Sequence, residues 1–280
     1  MFLKLGPRKQ EFPLAALIPN MLTTLALCCG LASLHFSLRG EWEKAMGAIV
    51  LSGVFDALDG RAARLLHVTS GFGAVLDSLS DFLAFGVAPA MLLHRWLQDS
   101  LTGRTGGFIL AAVMTYALCA ALRLARFTAD VPAKPVPKGT ERPADRATGY
   151  EKPAPYFVGM PTPAAAGCVM IPIMVARSDT LGYALPVWGV VVLAFVISFL
   201  MISRVPTYSL KALRIRRRWV APMMVLLGLG VVGMMKDPWL TLSALAGVYL
   251  LSVPLTLVRG RKARRVASVD RSEPLPERSS

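Results

Sequence analysis

The chain has 280 residues, is 54% hydrophobic and 17% charged, has a mean hydropathy of +0.53 and carries a formal net charge of +14. A water-soluble domain of this size would carry about 25% charged residues, so the composition points to an integral membrane protein, with several apolar stretches reaching the roughly 17–25 residues that cross a bilayer. No alternating strand pattern supports a β-barrel, and the basic residues lack the aromatic interleaving on a polar face that a nucleic-acid partner would want.

In chain order, apolar stretches predict helices over 14–36, 42–66, 71–98, 105–127, 160–178, 181–203, 219–235 and 239–258. The first run is too long for the apolar region of a signal peptide and lacks a small-residue cleavage site, so it is read as a membrane helix. Segment 128–158, rich in Pro, Lys, Arg and Glu, is expected to be a cytoplasmic loop. Residues 259–280 form a polar basic tail, expected to be disordered. The expected architecture is an all-α polytopic membrane protein with one transmembrane domain over 1–258. Its core would occupy 14–205, and two additional helices 219–258.

With the N-terminus inside, 25 of the 31 Lys and Arg residues fall on the cytoplasmic side of an eight-span topology. That asymmetry follows the positive-inside rule and predicts cytoplasmic termini at both ends. Topology and attraction to anionic headgroups then account for the net charge without nucleic acid. Cys28, Cys29, Cys119 and Cys168 lie in apolar spans without a CxxC pair, so neither a zinc site nor a disulfide framework is indicated.

Against this background, Asp56, Asp59, Asp77 and Asp81 are out of place in two apolar helices. A carboxylate at mid-bilayer is unfavourable by about 2.5–3.5 kcal/mol. Shared cations and a wet cavity near the helix ends would lower that cost. Asp56, Asp59, Gly60, Ala63 and Arg64 fall within an arc of about 140° on one helix. Ser70, Gly73, Asp77 and Asp81 also share one side of the next. A short connection makes the two helices antiparallel neighbours, so the stripes face each other near the cytoplasmic surface. Carboxylates without His or Cys beside them suit hard, oxygen-loving cations such as Mg²⁺ or Mn²⁺, and two such ions would offset four negative charges. Gly60, Ala63 and Gly73 leave room for close approach, and Arg64 offers planar donors to a phosphate. Together these residues describe a metal-dependent diphosphate site.

The run Asp56-x2-Asp59-Gly60-x2-Ala63-Arg64-x8-Gly73-x3-Asp77-x3-Asp81 resembles the complete signature of the CDP-alcohol phosphotransferases. That resemblance implies a six-helix core, usually dimeric, here followed by two C-terminal transmembrane helices. It also implies transfer of a phosphatidyl or similar group from a CDP-linked donor to an alcohol, with release of CMP. Asp56, Asp59, Asp77 and Asp81 would be metal ligands, Asp81 also the candidate general base, and Gly60, Ala63, Arg64 and Gly73 would line the CDP moiety and its diphosphate. Ser70 and Asn20 are added as donor-site candidates.

Three stretches, "IPNMLTTLALCCG" (18–30), "DSLSDFLAFGVAPA" (77–90) and "LRLARF" (122–127) followed by "GMPTPAAAG" (159–167), resemble the membrane-integral bacterial phosphatidylserine synthases within that family. The implied partners are CDP-diacylglycerol, L-serine, membrane lipids and a second copy of the chain. The implied location is the cell inner (cytoplasmic) membrane, with the active site facing the cytoplasm. Serine's carboxylate would need a cation, for which Arg123, Arg126 and Arg204 are the candidates. Alternative acceptors are glycerol 3-phosphate, inositol phosphate and choline. From a different class, membrane-embedded aspartates also occur in ion-coupled transporters, but no internal repeat is visible here.

Overall fold

Small or polar residues recur every three or four positions along the first helix. In the computed structural model, which describes residues 17–66, 71–98, 104–129, 156–203, 206–208 and 220–253, this helix (α1) spans Leu17–Leu38. Its buried side is Pro19, Thr23, Ala26, Gly30, Ser33 and Ser37. Such a stripe lets neighbouring backbones approach closely, as membrane helices do. The opposite side, including Leu17, Ile18, Met21, Leu25 and Leu31, is exposed and apolar, as a lipid-facing surface should be.

The chain divides into two compact units, Met1–Trp96 and Leu97–Ser280. In the first, α1 turns tightly into α2 (Trp42–Leu66). Gly40 takes the left-handed conformation there, φ 73°, and Glu41 N–H donates to Phe36 O at 3.0 Å, closing the end of α1. Glu41 also pairs with Lys44 at 2.6 Å in the first turn of α2. Ser52 Oγ on α2 donates to the Ala26 carbonyl on α1 at 2.9 Å, tying the hairpin at mid-length.

The predicted helix over 71–98 is present but not uniform. It comprises α3 (Gly71–Asp81), a π-helical segment (Phe82–Val87) and α4 (Ala88–Trp96). Ala88 N–H donates to Leu83 O, five residues back. Pro89 supplies the physical reason: proline has no N–H, and its ring crowds the carbonyl four residues earlier. The wider turn accommodates the Phe85 carbonyl that Pro89 would otherwise meet. This segment lies hard against α1, since a Cβ on Gly30 would stand 3.0 Å from Leu83 Cδ2 and 3.2 Å from Ala84 Cα.

In the second unit, α5 (Arg104–Ala129) packs on α8 (Val187–Ile202). Ile109, Ala112, Val113, Tyr116 and Ala120 of α5 and Val190, Ala194, Ile197 and Met201 of α8 are buried. The predicted helix over 160–178 is two pieces, α6 (Thr162–Val169) and α7 (Ile171–Ala176), broken at Met170 because Pro172 cannot continue the ladder. The predicted helix over 181–203 starts later, at Val187. Pro186 precedes it with extended backbone, and a residue before proline avoids the helical region. A short antiparallel ribbon pairs β1 (Tyr156–Val158) with β2 (Pro206–Tyr208), so the ends of the predicted loop over 128–158 are helical (α5) and extended (β1). Last come α9 (Val220–Lys236) and α10 (Pro238–Val253).

Among the described residues, Leu17–Leu38, Gly71–Trp96 and Thr105–Arg126 are long and apolar enough to cross a membrane. Thr162–Ala176, Val187–Ile202, Pro222–Lys236 and Pro238–Val253 are shorter apolar helices. The chain is a membrane protein. Residues 130–155 of the expected loop and the tail over 259–280 lie outside the described residues.

Asp237 links the final hairpin to the rest of its unit. Its Oδ1 accepts the Leu240 N–H at 3.0 Å, an N-cap with Pro238 at the first helical position of α10. Its Oδ2 accepts Ser178 Oγ–H at 2.6 Å and Thr180 N–H at 3.2 Å. The Ser178 hydroxyl, then the Leu240 and Thr180 amides, hold the carboxyl down to about 2. The ordinary value is about 3.9, so this carboxylate stabilises the fold fully above that pH. Its contribution fades as pH falls toward about 2. Thermal unfolding in detergent across that acid range is expected to show a steeper loss for the native chain than for Asp237→Asn. Parallel curves would refute it.

Candidate active site and metal centre

The four aspartates lie in the first unit, two near the end of α2 and two on α3. Asp56, Asp59 and Asp77 each offer a carboxylate oxygen, and these oxygens all lie within 4.8 Å of one another. Like charges at that separation repel by at least about 3 kcal/mol per pair at an effective dielectric of about 20. Asp81 stands one turn beyond Asp77 on the same side of α3. An all-carboxylate oxygen set of this density fits a hard divalent cation.

A side chain that the sequence reading passed over orients this set. Thr23 on α1 stands 2.6 Å from Asp59 Oδ2 through its Oγ1, with the Pro19 carbonyl its other neighbour at 3.0 Å. Asp59 itself is only 5% exposed. Ser80, between Asp77 and Asp81, donates Oγ–H to the Thr23 carbonyl at 3.3 Å. Thus α1 holds both aspartate-bearing helices through a single residue. The sequence signal was present: Thr23 is a polar residue on the small stripe, and it is the Thr of the Pro19-Asn20-x2-Thr23 pattern. Removing a hydrogen-bond partner that orients a metal ligand changes metal affinity about 10–100-fold. Thr23→Val is therefore expected to raise the divalent-ion concentration for half-maximal activity by about tenfold. An unchanged metal titration would separate Thr23 from the site.

The remaining predicted residues divide by place. Beside Gly60 a Cβ would meet nothing within 4 Å, so space lies open over the α2 backbone next to Asp59. Ala63 and Gly73 are half-buried. Arg64 folds back along its own helix, its Nε donating to Gly60 O at 2.8 Å, which uses one of its five N–H donors. Asn20 is half-buried on α1, three residues before Thr23. Ser70 and Arg204 lie outside the described residues. Arg123 and Arg126 belong to the second unit, where Arg123 Nη1 donates to Thr162 Oγ1 at 2.6 Å and Arg126 Nη1 to Ile202 O at 3.5 Å.

A family model described as CDP-alcohol phosphatidyltransferase matches residues 16–201. The chain belongs to the CDP-alcohol phosphatidyltransferase family. A second model, CDP-alcohol phosphatidyltransferase 2, matches residues 218–254, which include α9 and α10. Among curated relatives of this family member, CDP-diacylglycerol–serine O-phosphatidyltransferase of Mycobacterium leprae is 29% identical over 251 residues, covering 90% of this chain and 78% of that protein. The Bacillus subtilis protein of the same name is 33% identical over 156 residues, covering 55% and 73%. That of Helicobacter pylori strain 26695 is 32% identical over 158 residues, covering 56% and 57%.

Proposed function

We propose that the chain transfers the phosphatidyl group of CDP-diacylglycerol to L-serine, giving phosphatidylserine and CMP. The observation that carries the chemistry is the convergence of Asp56, Asp59 and Asp77 on a point within 4.8 Å, beside open space at Gly60. The choice of serine is supported by the relatives of that name, one of them aligned over 90% of the chain.

Asp56, Asp59, Asp77 and Asp81 would hold two divalent cations, Mg²⁺ or Mn²⁺. When bound, such ions supply positive charge that stabilises a diphosphate and its leaving group. The rest falls to the chain's own side chains. Thr23 keeps Asp59 in position. Gly60 admits the diphosphate to the α2 backbone, and Arg64 donates to it. Asp81 accepts the proton of the serine hydroxyl. The serine oxygen forms a bond to the phosphorus that carries diacylglycerol, the bond from that phosphorus to the CMP oxygen breaks, and CMP leaves. Arg123, Arg126 and Arg204 are candidates for the serine carboxylate. The acyl chains stay in lipid, the enzyme spans the inner (cytoplasmic) membrane with both termini and the site toward the cytoplasm, and it works as a homodimer.

Purified protein given CDP-diacylglycerol, Mg²⁺ or Mn²⁺ and a panel of alcohols is the test. Phosphatidylserine and CMP are expected with L-serine. Product only with glycerol 3-phosphate, inositol phosphate or choline would replace the acceptor. No CMP with any alcohol would overturn the reaction.

A further inference from the structure

Asp81 closes α3, and the π-helical segment begins at the next residue. Two contacts with α1 bracket this aspartate. One residue before it, Ser80 Oγ–H donates to the Thr23 carbonyl at 3.3 Å. Two and three residues after it, Leu83 and Ala84 lie against Gly30, where a Cβ would stand 3.0 Å from Leu83 Cδ2 and 3.2 Å from both Cα and Cβ of Ala84. The Leu83 methyl ends a flexible side chain and can swing aside. The Ala84 Cα is backbone and cannot. Any side chain at position 30 would therefore push the π turn itself by a few tenths of an ångström.

The turn has little room to retreat from α1. Phe85 is 2% exposed, and its ring faces Gly53 on α2, where a Cβ would stand 3.7 Å from it. Downstream, Ala88, Pro89 and Ala90 are all buried. Upstream, Asp77 and Ser78 are half-buried and Leu79 is exposed. Packed regions pass a displacement on and loose ones absorb it, so a push from α1 is relieved upstream, where Asp81 is the first residue met beyond the turn. We propose that Gly30 is a positioning residue for the reaction: by letting the π turn lie against α1, it sets where the Asp81 carboxylate stands. The inference rests on the role given to Asp81 above. It also gives the π turn, a form often found at functional sites, a task in this one.

Alanine is the better helix former, so a loss in Gly30→Ala comes from the contact and not from propensity. In the purified full chain, this variant is expected to lower kcat for CMP release about tenfold, with a smaller rise in the CDP-diacylglycerol KM. The Mn²⁺ concentration that half-maximally raises the melting temperature should rise too. Combined with Asp81→Asn, the substitution should change neither quantity further, since the group it acts through is gone. Gly53→Ala, whose Cβ would meet the Phe85 ring at ordinary contact distance, is the matched control and should keep the native kcat. A Gly30→Ala chain that keeps its kcat or its Mn²⁺ midpoint overturns the proposal. So does the same loss in the Asp81→Asn background, or an equal loss in Gly53→Ala, either of which marks a packing role independent of Asp81. If Gly30→Ala does not insert stably, Ala84→Ser adds an atom to the same contact from the π turn and is read in the same two backgrounds, with the same outcomes deciding. No CMP from the native chain with any alcohol would instead remove the reaction, and this inference with it.

Discussion

Asp77→Asn and Asp56→Asn are each expected to reduce CMP release about a thousandfold, while the variants insert and fold normally. Asparagine preserves the shape of the side chain and removes its charge, so the loss falls on cation binding. Positive charge at a diphosphate is worth several kcal/mol, and each 1.36 kcal/mol is a factor of ten in rate. Stability should move the other way. Three carboxylates within 4.8 Å repel one another, and deleting one charge relieves that strain. In excess chelator, the melting temperature of either variant should equal or exceed that of the native chain. Added Mn²⁺ should stabilise the native chain more than the variants, since a ligand stabilises the state that binds it. Normal CMP release from either variant, or full native activity in excess chelator, would refute the metal assignment.

Asp81→Asn should separate chemistry from binding. General-base catalysis contributes about 10²–10⁴-fold, so kcat is expected to fall by that amount. The CDP-diacylglycerol KM should rise by a smaller factor than kcat falls, because the other three aspartates still form the cluster. Asp81 is proposed as a ligand as well as the base, and the two roles separate kinetically. A ligand role would raise the metal requirement and the donor KM together. Retained kcat with a raised donor KM would take the base role from Asp81 and leave it as a ligand alone.

Much of this was readable from the chain because helical periodicity is a local property. Aspartates three or four positions apart must share a side, and a short connection must return the next helix antiparallel. The spacing of Asp56, Asp59 and Asp77 therefore foretold that they would meet. What periodicity does not carry is contact between distant positions. Thr23 acts on Asp59 from another helix, 36 residues away in the chain, and reads locally as one more small polar residue. Asp237 caps its own helix through Leu240, three positions on, yet it also serves Ser178, 59 positions earlier. Helices expected to run unbroken through Pro89 and Pro172 respond to them differently. Pro172 breaks its helix, whereas Pro89 is absorbed by a π-helical turn. The acceptor is the least legible feature, because a lone carboxylate on a substrate can be met by any cation the fold brings forward.

The π-helical turn after Asp81 has a further effect. An added residue per turn rotates everything downstream by about 100° relative to a regular helix. The aspartate half of this rod and its apolar half therefore obey separate rotational phases. Upstream, Asp77 and Asp81 aim at α2; downstream, Ala88, Leu92 and Leu93 turn into the interior of the same unit. Packing within the bilayer can thus be altered in the second half without re-aiming the carboxylates of the first.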